Sequence, residues 1–581
     1  MPAKMTEPRK DTQDRSPVDR RAFLLGAAGT AAAGAMVALE PASPAAAAAA
    51  DVATRFGAVA RNGADSVGAV VTASDSRYLD MKTGNNARFV ATPDYVRLIT
   101  SARDAESAVR AAVRTGKKVS VRSGGHCFAD FVCNPDVEVI LDLSTMTDVF
   151  YDPAMRAFAV EPGARLLSVY EKLFKGWGVT IPGGICYSVG VGGHIAGGGY
   201  GLLTRAHGLV VDHLYAVEVV TVDARNTVRT HVATRDSQGA LGDLWWAHTG
   251  GGGGNFGIVT KYWFRSPGAT GSNPSDLLVR APSRVLVSAL TFPWDQVDET
   301  EFRRLMTNWN AWHERYKDPG TPESNLSSLF NLSHRANGSL GMFTQIDADA
   351  PDATGVLERF IGAITDGVNV STAPMAAPSG ELPPMPAFYE TQEVSWMQAT
   401  RTVGTNNPTI TNPTSRGAHK SAYFKKGFTS EQLSVMWAQL TRPDFTNPDT
   451  MMVVFSFGGQ VNAVAEDATA NAQRDSIFKI CLQTFWQDEA EDDFYLGWER
   501  ETFEAMFAGT GGVPVPDEQV DGCYINYPDV DMADPARNRS GVPWSTLYYK
   551  GNYARLQRTK QAWDPTNYFT HSLGIELPEG S

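Results

Sequence analysis

Cysteine is scarce in this chain: Cys127, Cys133, Cys186, Cys481 and Cys523 are the five among 581 residues. None stands in a CxxC pair or at a His/Cys spacing that suits zinc, so no metal site is expected. Their odd number leaves at least one thiol over even in an oxidising compartment, where Cys127 and Cys133 are near enough in sequence to pair. Basic charge is also short. Lys and Arg number 51 against 64 Asp and Glu, a net charge of −13. Binding a phosphate backbone needs the opposite surplus, so nucleic acid is not expected as a partner. Strongly apolar runs are missing too. The apolar stretch near the start, ending at about Leu39, is rich in Ala and Gly and falls short of the ~20 strongly apolar residues of a stable membrane span. No internal repeat is found. The remainder, 43% hydrophobic and 20% charged, is an ordinary globular composition, too long for one core.

Ahead of that apolar stretch stands Ser16-Pro-Val-Asp-Arg20-Arg21-Ala-Phe23-Leu24-Leu25, and after it come Pro41, Pro44 and alanines to Ala50. The pattern resembles a twin-arginine export signal; a low-complexity tail with a chance Arg pair is the alternative. Cleavage near the alanines would leave a chain from about Asp51. Its charge would barely change, because residues 1–50 hold six basic and five acidic side chains. The expected destination is the cell envelope or exterior.

Ser101 to Gly116 has an N-cap candidate, early acids, apolar residues at helical spacing and a terminal glycine, and reads as a capped helix. Lys118–Arg122 and Val137–Leu143 read as strands, Leu166–Trp177 as a helix. Val217–Val222 and Val228–Val232 read as a hairpin around Ala224-Arg225-Asn226, followed by a strand Ile258–Phe264. Beyond about Pro267 the texture changes to aromatic-rich helices such as Glu301–Tyr316 and strands such as Met451–Phe457, with Pro/Asn-rich loops around 374–386 and 405–416. This reads as a second domain. An aromatic strand is expected from about Tyr524, and a helix-like segment over Tyr548–Trp563, ended by Asp564-Pro565.

Glycine numbers 54 and is clustered, which marks places where backbone lies close to something. Gly252-Gly-Gly254-Asn-Phe-Gly257 satisfies GxGxxG, but a strand follows it where a Rossmann turn needs a helix, so a nicotinamide-binding Rossmann fold is rejected. Arg122-Ser123-Gly124-Gly125-His126 follows a strand and could line an anion with backbone amides. Some sixty residues on comes Pro182-Gly-Gly-Ile-Cys186-Tyr-Ser-Val189-Gly190-Val-Gly192-Gly193-His194-Ile-Ala-Gly-Gly-Gly-Tyr200-Gly201.

Together these segments closely resemble the berberine-bridge-enzyme-like flavin oxidases of the vanillyl-alcohol oxidase superfamily. Further agreement lies in Asp243–Gly250, Phe256–Thr260, Tyr524-Ile-Asn526-Tyr527, Gly551–Leu556 and Asp564-Pro-Thr-Asn567, so that it spans most of the chain after about residue 88. Two positions depart: Thr249 stands for the family's usual arginine, and Leu573-Gly574-Ile575 for its usual Ser-Ile.

The resemblance implies an α+β fold, a two-part FAD-binding domain of the vanillyl-alcohol oxidase type with an inserted α+β substrate domain. The expected boundaries are 51–280, 281–520 and 521–581 after the signal at 1–50. It implies FAD attached at two points, through His126 nitrogen and Cys186 sulfur, with Arg122, Ser123, Gly124, Gly125, Val189, Gly190, Gly192, Gly193, His194, Gly257 and Asn567 around it. Imidazole and thiol are side chains able to attack an electrophilic flavin edge. Tyr527 is implied as the base for the substrate hydroxyl, assisted by Tyr200. A phenol with an ordinary value near 10 must be depressed by its neighbours to act there. Valine at position 189 implies access for dioxygen, hence an oxidase releasing hydrogen peroxide. The expected substrate is a secondary alcohol of a sugar, glycoside or secondary metabolite, and Tyr389, Trp396, Trp437 and Phe455 would suit stacking on it. The alternatives are a dehydrogenase using another acceptor and a ligand-binding protein without turnover.

Overall fold

The computed structural model describes residues 68–404, 412 and 414–580. The export-signal expectation at 1–50 lies outside them.

Three sheets carry the chain. In the first, Tyr95–Leu98, Val139–Asp142 and Val119–Arg122 run parallel, with Val70–Thr72 antiparallel at one edge. Parallel neighbours need a crossover, supplied here by the helix Ala102–Thr115. Its ends match the sequence signals: Ser101 Oγ accepts from the Asp104 amide, and Gly116 terminates it at φ 67°. The strand Val119–Arg122 opens at its carboxyl end into Ser123–His126, where open sheets with parallel strands commonly hold ligands.

The second sheet is antiparallel, in the order Val149–Asp152, Ala157–Val160, Ile258–Phe264, Leu214–Val222, Val228–Thr234. The expected hairpin turns at Asn226, at φ 59°, with Asp223 Oδ1 accepting from the Arg225 and Thr227 amides. The helix Leu166–Trp177 falls at its expected bounds.

The third sheet contains the antiparallel order Arg284–Pro293, Ser339–Asp347, Leu326–Ser333, Thr450–Ser456, Phe478–Trp486, Arg416–Phe424, Val520–Gly522. Leu326–Ser333, Thr450–Ser456 and Phe478–Trp486 are buried at every position, so the sheet is covered on both faces. Register decides what one face presents. Leu329 pairs with Phe455 and Phe455 with Lys479, so a row of three side chains crosses three strands. Because side chains alternate along a strand, Cys481 and Gln483 share the Lys479 face.

Two expectations for the last stretch are corrected. No strand forms at Tyr524–Tyr527: sheet pairing stops at Gly522, and the Tyr527 amide closes a turn on the Tyr524 carbonyl at 2.9 Å. The backbone leaves the sheet because Cys523 N donates to Leu547 O and Asn526 Nδ2 donates to His194 O at 2.9 Å. The segment Tyr548–Trp563 is two helices, Trp544–Tyr549 and Tyr553–Trp563, parted where Lys550 adopts φ 49°. Asn552 Nδ2 fixes the break by donating to the Glu466 and Thr469 carbonyls. The final helix packs back on the first half of the chain, with Arg555 paired to Asp243 and the buried Lys560 ammonium bonded to Asn255 O and Asp564. Among the described residues no disulfide joins Cys127 to Cys133; burial pushes the Cys127 thiol up to about 12 and that of Cys133 up to about 11.

Candidate active site

A cavity of about 280 Å³ lies where the three sheets meet, and it gathers side chains from stretches scattered between Val119 and His571. On one side stand Ser123, Gly124, Gly125 and His126, then Cys186, Val189, Gly190, Gly192, Gly193 and His194, with Gly252–Gly257 and Phe569–His571 beyond. On the other are Tyr200, Leu329, Phe455, Gln483, Glu381 and Tyr524–Tyr527.

The two loops that bear His126 and Cys186 meet at a junction only glycine permits. A Cβ on Gly124 would overlap the Gly190 nitrogen, and one on Gly190 would overlap the Gly124 nitrogen and Ser123 Oγ. Ser123 Oγ donates to Pro162 O at 2.6 Å and holds the first loop from below. Burial, aided by the Arg165 charge, lowers His126 to about 4, so its imidazole is neutral and keeps a free nitrogen lone pair. Cys186 Sγ lies 3.8 Å from Ser188 Oγ. His194 Nε2 accepts from the Gly184 amide at 3.2 Å, and Tyr170 Oη donates to Gly184 O at 2.7 Å, which fixes the Gly183–Cys186 segment.

Opposite these loops, Tyr200 and Tyr527 are hydrogen-bonded through their hydroxyls. Tyr524 Oη accepts from the Gly199 amide at 3.1 Å, and its ring meets Tyr200 and Tyr527 edge-on. Under the three rings lies Lys479. Its Nζ is 3.4 Å from the Tyr200 centroid, 4.1 Å from Tyr527 and 4.9 Å from Tyr524, and has no hydrogen-bond partner among the described residues. Burial drives this amine well below its ordinary value and drives Tyr200 and Tyr527 well above 10, although the Tyr200 hydrogen bond acts to lower Tyr527. The depressed phenol expected from the sequence is therefore not met: burial disfavours the charged form of each group taken alone. Taken together they are complementary, since an ammonium against the ring faces favours a phenolate and the phenolate favours the ammonium.

Thirteen of the fifteen residues expected at the site line this cavity; Arg122 and Asn567 do not. Arg122 lies beneath the loop, its Nε 2.7 Å from Asp142 and its Nη1 2.9 Å from Thr83 O, so it braces the strand end. Asn567 is exposed in a left-handed turn at φ 53° that closes on Asp564. Among the four aromatics expected to stack on substrate, Phe455 alone lines the cavity. Tyr389 bonds Thr372, Trp396 packs on Tyr170 and Phe174, and Trp437 packs on Trp294 and Phe302. Thr249, in the arginine position, joins the halves of the chain: its Oγ1 accepts from Ala470 N at 2.9 Å. Lys479 and Glu381 were not anticipated.

The cradle suits a flat, phosphate-bearing group. Glycines leave backbone bare along one wall, and a neutral imidazole and a thiol open into the same space. Such a fold and site define a flavin-dependent oxidoreductase, and comparison with known proteins agrees. Residues 93–229 match the FAD binding domain family and residues 523–576 the family described as berberine and berberine like. The chain is 46% identical over 505 residues to the aclacinomycin-N/aclacinomycin-A oxidase of Streptomyces galilaeus, covering 87% of this chain and 89% of that one. It is 36% identical over 536 residues to the hexose oxidase of Chondrus crispus, covering 86% and 93%. A crystal structure of a glycopeptide hexose oxidase complexed with teicoplanin superposes with a TM-score of 0.81 at 45% identity, over 88% of this chain and 99% of that one. The chain belongs to the berberine-bridge-enzyme-like family of FAD-linked oxidases, and its fold is the α+β, vanillyl-alcohol-oxidase type.

Proposed function

We propose that this enzyme oxidises a secondary alcohol of a sugar, a glycoside or a glycosylated secondary metabolite to a ketone or lactone, with dioxygen as acceptor and hydrogen peroxide as second product. FAD is held by bonds to His126 Nδ1 or Nε2 and to Cys186 Sγ, and the glycines at 124, 125, 190, 192, 193 and 257 let backbone lie against it, beside Ser123 and His194. When bound, the flavin supplies the two-electron acceptor for the hydrogen leaving the carbinol carbon. Tyr527 takes the hydroxyl proton, Tyr200 holds the Tyr527 oxygen in place, and the Lys479 ammonium balances the phenolate. Val189 keeps a small side chain on the cavity wall, leaving room for dioxygen. The observation that carries the reading is the Tyr200–Tyr527 hydroxyl pair facing the same cavity as His126 and Cys186. The names of the relatives, a hexose oxidase and an aclacinomycin oxidase, support the substrate class. Export through the twin-arginine route belongs to the same reading, because that route carries proteins already folded around a cofactor.

The test is a panel of hexoses, oligosaccharides and glycosides followed by flavin bleaching without oxygen, then by peroxide release in air. Bleaching by a sugar alcohol is expected, with Tyr527→Phe slower by about 10²–10⁴-fold while fully yellow. Bleaching by no member of the panel overturns the substrate class, and reduced flavin that persists in air overturns the acceptor.

A further inference from the structure

The loop 374–386 carries the one carboxylate among the residues that line the cavity, Glu381. Its placement is built. The Ser379 amide donates to Leu382 O at 3.1 Å and the Leu382 amide to Ser379 O at 3.0 Å, closing a two-residue turn with Gly380 and Glu381 at its tip. Ser379 and Leu382 are buried, and Asn331 Nδ2, on a strand of the large sheet, donates to Ser379 O at 2.6 Å. Gly380 adopts φ 56°, the left-handed region that glycine enters without cost, and a Cβ there would come within 2.7 Å of Met451 Sδ and 3.0 Å of Asn331. The turn is thus clamped against the sheet, and the clamp aims Glu381 into the space before the tyrosines.

The carboxyl makes no hydrogen bond or ion pair to any described residue. It lines the same cavity as Tyr200 and Tyr527, and a charge on it pushes the hydroxyls of both tyrosines up. Burial pushes it up to about 7, with Lys479 pulling the other way. The side chain is half-buried and its carboxyl faces the cavity, so a molecule that fills the cavity takes away its water and must supply a donor in return.

Resting on the alcohol-oxidase reading, we propose that Glu381 is a substrate-positioning residue that accepts a hydrogen bond from a second hydroxyl, on the sugar carbon next to the one oxidised. With the reacting hydroxyl on Tyr527 and its neighbour on Glu381, the ring is held at two points. That fixes which carbon presents its hydrogen to the flavin and selects vicinal diols over isolated alcohols. A site built to pair a hydroxyl rejects the analogue lacking it, because its own polar group is then left without a partner.

The test uses flavin-loaded wild type, Glu381→Gln and Glu381→Leu. Each is given the best hexopyranoside of the panel and its two monodeoxy analogues, each lacking one hydroxyl beside the oxidised carbon. Wild type is expected to lose about 10–100-fold or more in kcat/KM on one analogue, shared between KM and kcat. Glu381→Leu should treat parent and analogue alike within about 2-fold, a shift in ratio that loss of folding does not produce. Glu381→Gln, whose amide oxygen still accepts, should keep part of the preference. Undiminished discrimination in Glu381→Leu overturns the inference, as does an equal loss on parent and analogues, which would make Glu381 a general base. If wild type bleaches with no sugar, the substrate reading itself falls; if it bleaches and the ratio stays put, only the role of Glu381 does.

Discussion

The amine of Lys479 stands 3.4 Å from the centre of the Tyr200 ring, inside the protein, with no hydrogen-bond partner among the described residues. A buried amine without a partner is held there at a cost, and the function proposed above gives it the task of balancing the Tyr527 phenolate. Lys479→Met fills the space without the charge. The expected result is a fall of about 10–100-fold in the rate of anaerobic flavin bleaching near neutral pH, about 1.4–2.8 kcal/mol of transition-state stabilisation. The rate should recover at higher pH as the unsupported phenol ionises. Thermal stability should hold or rise, because an unpaired polar group leaves the core. An unchanged pH–rate profile would remove Lys479 from the proton balance.

His126 and Cys186 open on the cavity from separate loops. His126→Ala or Cys186→Ala alone should leave yellow protein that stays yellow after acid precipitation, since the other bond remains. The double variant should release its colour into the supernatant. Total loss of flavin from either single variant would disprove attachment at two points.

Gly124 and Gly190 lie backbone to backbone, with no room for a methyl group on either. Gly190→Ala should separate the two loops, lower stability by about 1–3 kcal/mol and reduce flavin incorporation several-fold. Gly176→Ala, in a helix and meeting nothing within 4 Å, is the control and should keep full colour. Equal flavin content in both variants would show that the junction does not shape the cradle.

All ten histidines lie below their ordinary value, burial being the first cause in each, and eight of them reach about 4 or about 3. Between pH 6.5 and about 4 the unfolded chain therefore binds protons that the folded chain refuses. Stability contributed by these groups is full above the unfolded value near 6.5 and is lost as pH falls, by about 1.4 kcal/mol per pH unit for each deeply buried ring. Glu161, Asp347, Glu381, Glu499, Asp529 and Asp564, pushed up by burial, act in the opposite sense but are fewer. The unfolding midpoint should drop steeply from pH 6.5 to 4.5, and a flat profile would contradict the neutral, buried rings.

What the sequence disclosed follows the range of the interactions involved. The helix Ala102–Thr115 was legible to within a residue because its stops are local, a serine hydroxyl and a left-handed glycine. His126, Cys186 and Tyr527 were legible because glycine clusters and an Asn-Tyr pair mark them. Lys479 was not: a lysine among Phe478, Ile480 and Leu482 has no local signal, and only its pairing with Phe455, itself paired with Leu329, turns it toward the tyrosines. Glu381 sits in a Pro/Asn-rich loop that offers no periodic pattern to read, and the clamp at Asn331 lies fifty residues away. The aromatic residues from Tyr524 suggested a strand, but a tertiary bond from Asn526 to His194 O overrides it. Arg122 was read as a cofactor contact from its motif, whereas its partner Asp142 comes from a neighbouring strand.

The last helix of the chain closes against residues near 243 and 255, and Tyr527 arrives only after the large sheet is complete. A polypeptide still emerging from the ribosome can present His126 and Cys186, but it lacks Tyr527, the proton acceptor proposed above. On the function proposed above, fragments cut short before Tyr527 are inert, so the order of synthesis itself keeps half-made molecules from oxidising substrate.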